Sequence, residues 1–262
     1  MAIYGINAIN EMYDNSNEIF SFSKIFESVI IETNDVIREL NEYRTSLQEA
    51  TNEESKKSII KRIINALKKI KDIFIRTITR LKNAINDKLK KISINNLKNA
   101  LKGVSIDPGN VDYYEADINK LYDDILRCTT FSDNGTAQIM LEAKKDQLNK
   151  IKDNFIKDYT TRKEMEYSNI EQLCKLAETV TGTYTEMTNK LNKIMQDIDE
   201  RIKTMTSKLE NLLQNQDMDD ELVDNTNASL EVLNLALEVI SSVNMQIMDL
   251  NNGVYSTIES YL

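Results

Sequence analysis

Two carboxylate pairs, Glu164/Glu166 and Asp197/Asp199, come nearest to the spacing of acid–base chemistry. Such chemistry needs one carboxyl to give a proton while another takes one or attacks. Both pairs fall in stretches read as solvated helix, where they are surface charge. Tyr113-Tyr114, flanked by Asp112 and Glu115, reads as a helix start with aromatic packing. Asn134-Gly135-Thr136 matches a glycosylation acceptor, but Asn-Gly is also a turn signal, and the turn is the reading taken. Cys128 and Cys174 have no partner spacing for zinc or a disulfide framework and read as two small buried or half-buried residues.

The missing residue types say more. The 262-residue chain has no His, which removes the usual general base, triad orienter and metal ligand. No Gly-rich loop precedes a Lys-Ser or Lys-Thr pair, so there is no phosphate-cradling loop. The acidic stretch 215–225, "NQDMDDELVDN", lacks the Gly and ligand spacing of a calcium loop. The expectation is a non-enzymatic protein with no catalytic residue, no cofactor and no metal.

The elements that would position any site are helices. One Pro and six Gly in 262 residues leave few breakers. Residues 1–15 read as an N-terminal arm. A helix is expected from Ser16, with the stripe Ile19, Phe22, Phe26, Val29, Thr33, Val36, Leu40, Tyr43 and Leu47 at heptad steps. Residues 16–102 form the expected helical hairpin, whose second, basic helix carries Ile60, Ile63, Leu67, Ile70, Phe74, Ile78, Leu81, Ile85, Leu89 and Ile92. Asp107-Pro108-Gly109 is the firmest turn. Residues 103–135 are read as that turn, a short helix over about 111–128 and a loop. From 136 to 214 no strong stop is seen. Ile170, Ala177, Tyr184, Leu191, Ile198, Met205 and Leu212 recur every seventh position, predicting one long coiled-coil-like helix that continues through Gly182. An acidic C-terminal helix completes the block 136–262. The fold class expected is all-α, an elongated antiparallel helical bundle with coiled-coil-like long helices and no sheet.

Charge is segregated along this frame. Residues 56–102 carry a net +13, while residues 1–55 carry −8 and residues 103–262 carry −14. Three surfaces compete for the basic helix: acidic protein, anionic lipid and nucleic acid. Acidic protein is preferred, with residues 209–262 as the expected complement, because the stripe is as wide as a core helix needs. A membrane-surface role stays open, although Trp is absent. Nucleic acid is disfavoured, since the rest of the chain would repel phosphates. The candidate interaction residues are the stripe Ile60, Ile63, Leu67, Ile70, Phe74, Ile78, Leu81 and Ile85; the cations Lys68, Lys69, Lys71, Arg76 and Arg80; and the heptad positions Ile170, Tyr184, Leu191, Ile198 and Met205. Protein partners are expected, as a homo-oligomer or with other subunits.

The opening "MAIYGINAINEMYDN" lacks a basic n-region and an apolar h-region, so no secretory leader is expected. No window is apolar enough for a transmembrane helix. Three features together carry a resemblance: the arm "MAIYGINAINEMYDNSNE", the block "IIKRIINALKKIKDIFIRTITRLKNAIND", and long helices rich in Asn, Ile and Lys. In these the chain resembles virion-associated structural proteins of phages that infect low-GC Gram-positive bacteria. The resemblance implies a structural role in a head, neck or tail, in the virion or the host cytoplasm, and assigns no residue to a site. A toxin-like membrane-acting bundle and a cellular coiled-coil scaffold are the alternatives.

Overall fold

A computed structural model describes residues 28–262, apart from 29–30, 33, 37, 44, 47–48, 50–51, 130–136 and 216–219. The expected arm 1–15, the start of the first helix at Ser16 and the Asn134-Gly135 turn lie outside the described residues.

The described residues between 28 and 49 are helical. They lead into α1, Glu53–Lys91, 39 residues long. Asn52 caps it by accepting the Ser55 N–H at 2.8 Å, and Glu53 and Glu54 sit against the positive end of its dipole. A short helix α2, Ile94–Ala100, follows. Gly103, at φ 79°, takes the left-handed turn that an L side chain would resist.

The chain then departs from the expected all-helical pattern. Gly109–Ala116 is a strand, β1, and it pairs antiparallel with β2, Thr160–Tyr167. The register sets Tyr113 opposite Lys163 and Gly109 opposite Tyr167. The expectation of no sheet is therefore corrected, and so is the helix start near 111. The helix here, α3, is Ile118–Cys128, capped by Asp117, which accepts the Lys120 N–H at 3.0 Å. The expected unbroken helix over 136–214 is corrected too. It divides into α4, Ala137–Asp153, α5, Phe155–Tyr159, the strand β2, and α6, Ile170–Asn215. The blocks 103–135 and 136–262 thus share one ribbon and do not stand apart. The physical reason is local: Val111 and Thr160-Thr161 are β-branched, Tyr113, Tyr114 and Tyr167 are aromatic, and such residues suit a half-buried pleated surface better than a helix turn.

Past Ile170 the heptad reading holds. α6 is one helix of 46 residues that passes through Gly182, about 70 Å at 1.5 Å per residue. Then come α7, Asp220–Leu250, and α8, Asn252–Glu259. The fold is mainly α-helical, a bundle of long helices with a two-stranded ribbon at one end.

One hydrophobic core runs through it. α1 lies antiparallel to α6, with Lys71 bonded to Asp199 and, further along, Lys98 of α2 facing Cys174. α4 and α7 run in the same direction, linked by Lys145–Glu231 at 2.7 Å and, two turns on, by Lys152 facing Glu238. α7 is buried nearly all round between Leu230 and Met248, with Leu230, Val232, Leu233, Ala236, Leu237, Val239 and Ile240 all in the core. A helix of that composition belongs at the centre of a bundle.

Candidate functional site

The stripe on α1 is core. Ile60, Ile63, Leu67, Ile70, Phe74, Ile78, Leu81 and Ile85 are each exposed by 3% or less. Ile59, Ile64, Ala66 and Ile73 are buried as well, which explains the stripe's width: α1 packs against α6 on one side and the 28–49 segment on the other. On α6, Tyr184, Leu191 and Ile198 are buried, while Ile170 and Met205 are half-buried against the same core.

The cations of α1 divide. Lys69 pairs with Glu39 at 3.1 Å and Arg76 with Glu32 at 2.7 Å, across a groove of about 630 Å³. Lys71 reaches Asp199 at 2.5 Å. Lys68 and Arg80 are exposed and form no ion pair with any described residue. The expected complement, residues 209–262, meets α1 only in part, through Asp249 facing Lys88. The other acids that meet α1 come from the preceding segment and from α6. The middle of α7 is buried in the core and offers α1 no charged face. The C-terminal region touches α1 near its end, where the buried Lys88 ammonium sits 4.3 Å from the centre of the Tyr255 ring.

The carboxylate pairs do not converge on a reacting position. Asp199 is held by Lys203 at 2.6 Å and Lys71 at 2.5 Å, and these two hydrogen-bonded cations push its carboxyl below the usual range. Glu164 and Glu166 lie on exposed β2, not on a helix. There Glu164 accepts from the Asn110 side chain, and Arg162 pairs with Asp112. Both thiols are pushed up by burial, which keeps them protonated and poor nucleophiles. Cys128 lies at the C-terminal end of α3, where Lys144 donates to the Arg127 carbonyl and Arg201 donates to the Thr129 carbonyl. Two cations there answer the negative end of the helix dipole. Among the described residues no group of three or more His, Cys, Asp or Glu could hold a metal. Nor, among them, is any helix long and apolar enough to cross a membrane.

The ribbon leaves no mark in the helical periodicity of the sequence. Asp117 donates its N–H to the Tyr159 carbonyl at 2.9 Å, which fixes which residues face inward. Backbone groups of Tyr113, Glu115, Thr161 and Lys163 face the partner strand, and those of Tyr114, Arg162, Glu164 and Glu166 face away. The signal was present in the Val/Tyr/Thr content and in Asp107-Pro108-Gly109 just before β1. The chain matches no protein-family model, no curated protein and no solved structure in comparison.

Proposed function

We propose that the chain is a non-enzymatic structural or assembly protein, a helical component of a phage virion (head, neck or tail) that works by packing against neighbouring subunits. The observation that carries this reading is the α1–α6 pair. Helices of 39 and 46 residues lie side by side on one sealed apolar seam, giving a stiff strut. Charged links tie the strut to its surroundings, as in Lys71–Asp199 within the pair and Lys69–Glu39 and Arg76–Glu32 to the preceding segment. The membrane-surface alternative loses its motive, because the stripe it would use faces the chain's own core. The test is mass spectrometry and immunogold labelling of purified phage particles from the source. The chain is expected in the particle at a fixed copy number. Its presence in cells with absence from particles would favour a cellular scaffold and end the virion reading.

A further inference from the structure

The two edges of the ribbon differ. On β1, the outward N–H and C=O of Tyr114 are both taken by the buried side chain of Asn251. On β2, the outward backbone groups of Arg162, Glu164 and Glu166 have no partner among the described residues. All three residues are exposed, and among the described residues β2 packs chiefly against β1 and its chain neighbours α5 and α6. An eight-residue strand without Pro or a bulge, whose outer edge meets no described residue, is a template for another strand.

The side chains select the occupant. Suppose two copies of β2 meet antiparallel about a two-fold axis. Centring on Arg162 sets Arg162 against itself, and centring on Glu164 sets Glu164 against itself. Centring on Met165 places Glu164 against Glu166. Centring on Lys163 places Arg162 opposite Glu164 of the second copy, twice by symmetry, with Thr160 opposite Glu166 and Thr161 opposite Met165. The residues that would exchange hydrogen bonds there are the even-numbered ones, whose backbone groups face outward. Lys163 meets its own copy at the centre, where each Lys163 holds Glu115 at 2.8 Å within its own ribbon; Arg162 likewise holds Asp112 of its own ribbon, and its guanidinium would be shared between Asp112 and the second copy's Glu164. Opposite charges directly across a pair favour it, and like charges oppose it.

From this we infer that β2 is a self-association edge. Two copies of the chain join there into a continuous four-stranded antiparallel sheet, in the register centred on Lys163. The inference rests on the ribbon alone and not on the virion reading, so its failure would leave that reading standing.

Sedimentation velocity on the full chain over a range of concentrations tests it. Wild type should dimerise. Arg162→Glu, and Glu164→Arg combined with Glu166→Gln so that the Met165-centred register gains no opposite-charge pair, should each weaken the dimer about tenfold or more, because each sets like charges across both symmetric pairs. Mixing the two variants should restore dimer. The carboxylate introduced at position 162 of one chain then faces the guanidinium introduced at position 164 of the other, and the two unaltered side chains face each other with opposite charge. Glu164→Pro removes an outward N–H without touching the β1 ladder and should also abolish association. Circular dichroism on each variant confirms that the bundle is intact. A wild-type chain that stays monomeric up to about 100 μM, variants that dimerise like wild type, or a mixture that stays monomeric would each overturn the inference.

Discussion

The side chain of Asn251 accepts from the Tyr114 N–H at 2.9 Å and donates to the Tyr114 carbonyl at 3.1 Å. It also donates to the Ile247 carbonyl at 3.1 Å, one turn back at the end of α7. One buried amide therefore closes the inner edge of the ribbon and fixes it to the α7–α8 junction. Asn251→Ala would strip both backbone groups of Tyr114 of their partner, at about 1–3 kcal/mol each when left unsatisfied. The expected loss is about 2–4 kcal/mol in urea unfolding. Asn149→Ala on the exposed face of α4 should change stability by less than about 0.5 kcal/mol. Equal effects from the two would show that Asn251 does not hold the ribbon.

Two glycines should respond with opposite sign. Gly182 is exposed in mid-α6, and a Cβ there would meet nothing within 4 Å. Gly182→Ala should raise stability by about 1 kcal/mol, the difference in helix propensity. At Gly109 a Cβ would run into the Tyr167 ring and hydroxyl, closer than real Cβ atoms come. Gly109→Ala should lower the melting temperature and disturb the Tyr167 side of the ribbon. A destabilised Gly182→Ala would mean that α6 needs its glycine for a bend.

Those glycines also show where the sequence was legible. The helix through Gly182 was readable because apolar residues kept one period from Ile170 to Leu212, and one glycine costs less than that seam gains. The strands were not readable by the same test. Leu148, Ile151, Phe155 and Tyr159 keep helical spacing up to the residue before β2, and nothing in periodicity marks Thr160 as the switch. The pairing that makes 160–167 a strand lies about fifty residues away, in 109–116, so its cause is non-local. The charge reading was half legible. That α1 packs on protein followed from its wide stripe. That the acids of 28–49 and α6 meet it, and of 209–262 chiefly Asp249, depended on how deeply the middle of α7 is buried.

The burial of that stripe gives a direct test against a lipid role. Leu81 is 1% exposed between α1 and its neighbours. Leu81→Asp places a carboxylate in the core without a partner and should cost several kcal/mol. Lys68→Glu, on the exposed face, should shift stability by less than about 0.5 kcal/mol. Thermal melts should separate the two variants clearly. Flotation with anionic vesicles should show no binding that either substitution removes. An unchanged melt for Leu81→Asp with loss of flotation would reverse the assignment of α1 to the core.

The Lys71–Asp199–Lys203 group predicts a pH dependence whose sign follows from its geometry. Asp199 is paired with two ammonium groups in the folded chain, and its carboxyl is held below its ordinary value. A folded-state pKa below the unfolded one means that the unfolded chain binds the proton more tightly. The stabilisation is then fully present above the unfolded value near 3.8 and is lost as pH falls through the lower folded value. Asp199→Asn removes the charge at every pH. Wild type should therefore be more stable than Asp199→Asn at about pH 6 to 7, and the gap should close as the pH is taken below about 4. Lys71→Met should narrow the same gap at neutral pH, because Lys203 alone then holds the carboxylate. Raising the salt should shrink the effect, since both partners stand partly in water. Urea midpoints across this range, measured for the three proteins side by side, give the answer. A gap that stays constant from about pH 7 to about pH 3 would mean that Asp199 acts by packing and not by its charge.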